Sequence, residues 1–216
     1  MTKAVIFDLD GTLADTLPDI MTAVNGVRAH YGLPSFDEKY VLKFINGDTA
    51  EFARNIEPDL PDDKIDEAIG IYKAHYSKCY LEKTHEYDGM TELLKTLRSH
   101  GIKLAVFSNK ADEYVKNLAK KLFPGIFDYA LGAGIYASKP SPDGANAILE
   151  TFGVSSHDAV FVGDSDVDIN TAKNAGIRAV GVSWGYRGHK FLSDLGGCDV
   201  VDTMCELENN ILGKNN

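Results

Sequence analysis

Residues 5–13 read Val5-Ile6-Phe7-Asp8-Leu9-Asp10-Gly11-Thr12-Leu13, an apolar run that ends in two carboxylates. Residues i and i+2 of an extended chain point the same way, so Asp8 and Asp10 would face one small volume at the end of a buried strand. Two crowded anions repel each other and need a cation or a shared proton. Mg²⁺ prefers such oxygen ligands. The pair would suit phosphoryl transfer, in which one carboxylate attacks phosphorus and its neighbour moves a proton. The alternative is an ordinary turn, because a lone Asp-x-Asp-Gly is common in turns.

Composition places the chain among ordinary globular proteins. It has 216 residues, 44% of them hydrophobic and 25% charged, and a net charge of −10. This length allows one or two domains with a sizeable core. We expect no nucleic-acid or membrane partner, because either needs a basic face or a long apolar span. An anionic substrate must then be met by local positive charge.

Cysteine usage and the N-terminal residues predict a cytoplasmic protein. Cys79, Cys198 and Cys205 are an odd number without metal-ligand spacing, which is typical of reduced thiols. The N-terminal residues enter a strand without a charged and then apolar leader.

Short apolar segments alternate with helical patterns from about residue 100. The predicted strands are 103–107, 127–131, 159–162, 178–182 and 200–201. The predicted helices are 112–122, 142–152, 167–175 and 206–212. This alternation predicts a parallel sheet covered by helices on both faces. Ligands of such sheets bind at the carboxyl ends of the strands, where the strand order reverses.

Residues 15–86 have no clear strand and predict an all-helical insertion. The predicted helices are 18–31, 37–45, 49–56 and 62–80, with Asp62 as the N-cap of the last one. The remaining residues, 1–14 and 87–216, would form the α/β core. An insertion that directly follows two carboxylates suggests a cap domain that closes over a site, and a purely stabilising subdomain is the alternative.

Three further polar segments follow predicted strands or precede predicted helices. They are Ser108-Asn109-Lys110, Ser138-Lys139-Pro140 and Gly163-Asp164-Ser165-Asp166-Val167-Asp168. Each has an ordinary explanation on its own, as a turn, a solvated lysine or an acidic helix start. Together with residues 8–12 they make four polar segments, and their order along the chain is more informative than any one of them alone.

These four segments resemble the four motifs of the haloacid dehalogenase-like hydrolases, and the resemblance covers nearly the whole chain. It implies a Rossmann-like parallel-sheet core with an inserted helical cap. It also implies that Asp8 is the nucleophile that becomes an aspartyl-phosphate. Asp10 would protonate the leaving oxygen and then activate water.

The same resemblance implies a magnesium site and a phosphate site. Mg²⁺ would be bound by the Asp8 carboxylate, the main-chain carbonyl of Asp10 and Asp164, with Asp168 acting through water or a hydrogen bond. The phosphate group would be held by residues that supply hydrogen bonds or positive charge. These are Gly11, Thr12, Ser108, Asn109 and Lys139.

Several segments are similar to the phosphoglycolate phosphatase branch of this family. They are 13–20, 23–33, 108–110 and 184–187. The loop at Asn46-Gly47 occupies roughly the place of that branch's cap loop, and Arg54 follows in the next predicted helix. We name these three residues as candidates for substrate specificity, with an interhelix turn and a solvated arginine as the alternatives.

The predicted activity is Mg²⁺-dependent hydrolysis of a small organic phosphomonoester, as in phosphoglycolate phosphatase. The alternatives are a phosphosugar mutase of the β-phosphoglucomutase type, a pyrophosphatase or nucleotidase, and a non-catalytic binding module. Mutases of that type tend to carry Glu-Asp where this chain has Gly163-Asp164, which favours hydrolysis. The expected partner is a small phosphorylated metabolite, and the chain would be a monomer or a homodimer.

Overall fold

A computed structural model describes residues 1–45, 47, 49–58 and 60–214. The chain divides into two compact units. One unit contains Met1–Ala14 and Glu86–Asn216, and the other contains Asp15–His85.

The strands and helices alternate along most of the chain. The strands are β1 Ala4–Phe7, β2 Ala14–Asp15, β3 His85–Glu86, β4 Lys103–Ala111, β5 Tyr129–Ala133, β6 Ala159–Gly163, β7 Arg178–Val182 and β8 Asp199–Val201. The α-helices are α1 Leu17–His30, α2 Glu38–Val41, α3 Thr49–Ile56, α4 Ile65–Cys79, α5 Met90–Ser99, α6 Asp112–Leu122, α7 Asp143–Phe152, α8 Asp166–Ala175, α9 Gly188–Leu195 and α10 Met204–Leu212.

Six strands form one parallel sheet in the order β5-β4-β1-β6-β7-β8. Phe7, the last residue of β1, lies in register with Val106 of β4 and Val162 of β6. Asp8, Ser108 and Asp164 follow these three positions, so they emerge at the same edge of the sheet. The predicted α/β parallel-sheet fold is confirmed, with β1 at the point where the strand order reverses.

The sheet is buried on both faces, as the continuous apolar strands require. Every residue of β1 is fully buried. One apolar cluster joins Ile6, Phe107 and Phe161 of three neighbouring strands to Ile148 of α7 and Ile169 of α8. This rigid layer fixes the ends of β1, β4 and β6 from which the polar segments project.

Some predicted helix boundaries are wrong. Helix α2 ends at Val41 and is followed by turns, whereas the prediction extended to residue 45. Asp62 begins a 3₁₀ turn, and α4 begins only after Lys64, so Asp62 is not its N-cap. A 3₁₀ turn at a helix N-terminus is common and is not visible in the apolar periodicity. Helices α5 and α9 were not predicted.

The unit Asp15–His85 is held together by contacts between α1 and the segments after it. Arg28 of α1 donates to Glu57 at 2.9 Å, and both side chains are buried. Asp19, in the first turn of α1, accepts hydrogen bonds from the main-chain N–H groups of Lys83 and Thr84. No helix within the described residues is long and apolar enough to cross a membrane.

Candidate active site

The first two carboxylates lie directly after β1, as the strand pattern predicts. The main-chain N–H of Asp8 donates to the carbonyl of Val162 at 2.9 Å and so continues the ladder of the sheet. The chain then turns at Gly11, whose φ of +84° is in the left-handed region that favours glycine. Asp8 and Asp10 are both buried. They project from a sharp, hydrogen-bonded turn whose backbone is tightly constrained.

Lys139 lies between two of the predicted carboxylates. Its Nζ is 2.7 Å from Oδ1 of Asp8 and 2.6 Å from Oδ1 of Asp168, and its side chain is only 4% exposed. Burial acts to lower the pKa of Lys139, but the charges of Asp168 and Asp8 outweigh burial and raise it. Lys139 is therefore an ammonium ion that binds two carboxylates at once.

Asn109 fixes the backbone of Lys139. The Oδ1 of Asn109 accepts from the main-chain N–H of Lys139 at 2.8 Å, and its Nδ2 donates to the carbonyl of Lys139 at 3.1 Å. Both ends of the amide side chain are thus used to hold the lysine segment. The described contacts of the Asn109 side chain are with Lys139, and its predicted role in binding phosphate stays a prediction.

Asp8, Asp164 and Asp168 form a buried cluster whose carboxylate oxygens lie within 4.8 Å of one another. Burial raises the pKa of Asp8 to about 7, and it raises the pKa of Asp164 well above the usual range, with repulsion from neighbouring carboxylates adding to both shifts. A divalent cation would offset this burial and repulsion. Mg²⁺ prefers carboxylate oxygens, so the donor set fits that ion.

The two later carboxylates are oriented by hydrogen bonds. Asp164 accepts from the hydroxyl of Thr12 at 3.3 Å and from the main-chain N–H of Tyr186 at 2.7 Å. Asp168 accepts from the main-chain N–H of Ser165 at 3.1 Å and from its hydroxyl at 2.6 Å, within a capping box at the start of α8. Asp168 therefore has one oxygen on Lys139 and the other on Ser165.

The loop after β7 packs against the loop after β1. The indole Nε1 of Trp184 donates to the carbonyl of Thr12 at 3.1 Å. A Cβ on Gly185 would collide with the side chain of Asp164 and with the carbonyl oxygen of Gly11. Glycine at 185 thus permits the close approach that brings the N–H of Tyr186 to Asp164. Residues 184–187 resemble the phosphoglycolate phosphatase branch, and their sequence alone does not predict this contact with Asp164.

Lys110 is a site residue for which the sequence predicts no role. Its Nζ lies 2.6 Å from Oδ1 of Asp10, and both side chains are largely buried. Ser108, predicted to bind phosphate, is also buried, and its hydroxyl oxygen accepts from the main-chain N–H of Lys110 at 3.2 Å. The sequence signal for Lys110 is its spacing from Ser108. The two residues lie two positions apart at the end of an extended segment, so their side chains point the same way.

The candidate specificity residues belong to the unit Asp15–His85. Asn46 lies outside the described residues. Gly47 lies in a bend between α2 and α3, and Arg54 is an exposed residue of α3. Their roles stay predictions.

Comparisons with known proteins show which family the chain is similar to. A family model described as haloacid dehalogenase-like hydrolase matches residues 5–182. A phosphoglycolate phosphatase of Aquifex aeolicus is 34% identical over 186 residues, covering 85% of this chain and 86% of that protein. Its counterpart in Rhodospirillum rubrum is 33% identical over 217 residues, covering 96% of this chain and 90% of that protein.

A solved structure shares the fold over its whole length. It is the crystal structure of a candidate phosphoglycolate phosphatase from Lactobacillus delbrueckii subsp. bulgaricus, with a TM-score of 0.92 and 32% sequence identity. The match covers 99% of this chain and 100% of that chain.

Proposed function

The chain belongs to the haloacid dehalogenase-like hydrolase family and is a phosphatase, and from this premise we propose that it hydrolyses small organic phosphomonoesters through an aspartyl-phosphate. The observation that carries the proposal is the buried contact between Lys139 and Asp8 within the cluster of carboxylates. A carboxylate so placed can attack phosphorus only if positive charge offsets its repulsion from the anionic phosphate, and Lys139 supplies that charge.

In the first step, a carboxylate oxygen of Asp8 attacks phosphorus. The bond from phosphorus to the leaving-group oxygen breaks, and its electron pair stays on that oxygen. Asp10 in its protonated form gives its proton to the same oxygen, so an alcohol leaves and Asp8 carries the phosphoryl group.

In the second step, water attacks the phosphorus on Asp8. Asp10 takes a proton from this water, the bond from phosphorus to the Asp8 oxygen breaks, and inorganic phosphate is released. The two aspartates thus return to their starting states, with Asp10 again protonated. Asp10 acts first as an acid and then as a base, which its position two residues after the nucleophile allows.

Other residues of the chain hold the transferring group. Lys139 neutralises negative charge beside Asp8, and Asp168 holds Lys139 at 2.6 Å while it is itself held by Ser165. The buried hydroxyl of Ser108 and the main chain of Gly11 and Thr12 would bind phosphate oxygens. Mg²⁺, bound by the carboxylates of Asp8 and Asp164 and the main-chain carbonyl of Asp10, would supply further positive charge for the phosphoryl oxygens.

We propose 2-phosphoglycolate as the first substrate to test, because relatives at 33–34% identity are phosphoglycolate phosphatases. Hydrolysis is favoured over a mutase reaction because Gly163 stands where mutases of the β-phosphoglucomutase type tend to carry glutamate. A Cβ at this position would collide with the Cβ of Asp168, so the glutamate that mutases tend to carry there does not fit this arrangement.

A phosphate-release screen of the purified enzyme with Mg²⁺ tests the proposal. The compounds would be 2-phosphoglycolate, other small phosphomonoesters, pyrophosphate and nucleotides, with Asp8→Asn as the inactive control. Incubation with glucose 1-phosphate, assayed for both free phosphate and glucose 6-phosphate, tests the mutase alternative. We expect free phosphate from phosphomonoesters and no glucose 6-phosphate. Accumulation of glucose 6-phosphate, or no turnover of any compound, would reject the proposed hydrolase.

A further inference from the structure

A second lysine, with a largely buried side chain, is paired with Asp10, the proposed acid and base. The Nζ of Lys110 lies 2.6 Å from Oδ1 of Asp10, and the two side chains are 8% and 10% exposed. Lysine normally keeps its ammonium in water, because dehydrating the charge is unfavourable without a close partner. The pair therefore belongs to the interior of the site and differs from an ordinary surface ion pair.

The backbone of β4 delivers Lys110 to this position. The pairing of β4 with β1 ends at Val106 and Phe7, so the later residues of β4 extend beyond β1 toward the turn that carries Asp10. The register between β4 and β5 also shifts between Phe107 and Ala111. An irregularity of this kind re-aims side chains and is common next to active sites. The hydroxyl of Ser108 then accepts from the N–H of Lys110, which stabilises this irregular end of the strand.

We propose that Lys110 is a positioning residue that holds the carboxylate of Asp10 in line for proton transfer. This inference rests on the proposed function. The carboxylate can rotate about two single bonds, and a displacement of about 1 Å at a reacting group can reduce a rate on the order of 100-fold. The hydrogen bond from Lys110 to Oδ1 restricts that rotation in both the ionised and the protonated form of Asp10. Lys110 exchanges no atom with the substrate, and the proton travels only between Asp10 and the leaving oxygen or water.

The two lysines of the site pair with different carboxylates. Lys139 contacts Asp8, the proposed nucleophile, and Asp168, whereas Lys110 contacts Asp10. Loss of Lys139 would affect every phosphate ester alike. Loss of Lys110 would slow phosphoryl transfer most for substrates whose leaving oxygen must be protonated. It would slow the transfer little for substrates whose leaving group is a stable anion.

The test compares two substrates whose leaving groups differ in this need. The leaving group of 2-phosphoglycolate is an alkoxide and requires a proton. The leaving group of p-nitrophenyl phosphate is p-nitrophenolate, a stable anion that leaves without one. The variant is Lys110→Met, which keeps the length of the side chain and removes its charge. The control is Lys116→Met, because Lys116 also makes a 2.6 Å ion pair, with Asp112, but is 54% exposed. Single-turnover rates of phosphoryl transfer and steady-state KM would be measured for both compounds.

We expect Lys110→Met to reduce the transfer rate on the order of 100-fold with 2-phosphoglycolate and less than about fivefold with p-nitrophenyl phosphate. KM should change little for either compound, and Lys116→Met should match the unmodified enzyme. Lys110→Met added to Asp10→Asn should cost little more than Asp10→Asn alone, because both changes remove the same proton transfer. Lys110→Arg, which keeps the charge, should recover part of the rate.

Three outcomes would overturn the proposal. An equal loss with both compounds would mean a general structural role. A rise in KM for 2-phosphoglycolate alone would mean that Lys110 binds the substrate carboxylate. If the unmodified enzyme releases phosphate from neither compound, the proposed function fails and this inference fails with it. Thermal unfolding would check each variant, and if Lys110→Met does not fold, the same two-substrate comparison on Lys110→Gln decides the question.

Discussion

Replacing Asp8 with asparagine should abolish activity and yet stabilise the metal-free protein at neutral and higher pH. Burial raises the pKa of Asp8 from 3.8 to about 7, Lys139 opposes this shift, and the charges of Asp168 and Asp10 add to it. Ionised Asp8 is therefore unfavourable in the folded state when no cation is bound. Asparagine has nearly the same shape and carries no charge at any pH.

The sign and size of the effect follow from the two pKa values of Asp8. Between pH 3.8 and about 7 the folded state holds a proton that the unfolded state has lost. This proton's contribution to the free energy of unfolding is fully present below pH 3.8. It is lost as the pH rises through about 7. At about 1.36 kcal/mol per pH unit, the loss by pH 8 is on the order of 4 kcal/mol. Asp8→Asn should recover most of this lost free energy of unfolding at pH 8 and little of it at pH 4.

Urea unfolding in EDTA between pH 4 and 8, followed by circular dichroism, measures this difference. Phosphate release with Mg²⁺ measures the activity. Asp158 offers a control, because its side chain is 30% exposed and its hydrogen bond to Lys3 lowers its pKa. Asp158→Asn should leave the free energy of unfolding at pH 8 unchanged or slightly reduced.

Two results would refute the reasoning about Asp8. If Asp8→Asn is no more stable than the unmodified protein at pH 8 in EDTA, Asp8 does not carry an unfavourable buried charge. If the variant keeps more than about a tenth of the phosphate release, a loss of only about 1.4 kcal/mol of transition-state stabilisation, Asp8 is not the nucleophile.

Three other predictions concern the metal, the loop after β7 and the substrate. Asp164→Ala should weaken Mg²⁺ binding at least about tenfold by calorimetry, and EDTA should abolish activity of the unmodified enzyme; full activity after thorough metal removal would contradict this. Gly185→Ala should also weaken Mg²⁺ binding, because its Cβ collides with Asp164. The control Gly70→Ala adds a Cβ in open space and should leave Mg²⁺ binding unchanged. Equal Mg²⁺ affinity in Gly185→Ala and Gly70→Ala would contradict the role of Gly185. Arg54→Ala or Gly47→Val should change kcat/KM among small phosphomonoesters more than for an aryl phosphate, whereas one common factor for all substrates would mean no role in specificity.

Local patterns in the sequence predict most of the elements of the core. The helix 112–122 and the strand 178–182 have the predicted bounds, because apolar spacing and flanking turn residues mark both ends. Helix α5 carries the same kind of signal in Met90, Leu93, Leu94 and Leu97, all buried, although it was not predicted. Helix α2 is shorter than predicted, since apolar spacing alone does not show where hydrogen bonding gives way to turns.

The sequence by itself determined the parallel-sheet fold and the polar segments that follow or flank the strands, because these depend on local periodicity and on residue type. Only the tertiary structure decided which polar groups meet. Lys110 and Asp10 are 100 residues apart, and Asn109 and Lys139 are 30 apart. Such contacts depend on the order and register of strands, which are set by burying the whole sheet at once. The spacing within one segment can show which side chains point the same way, but it does not show which distant residue they meet.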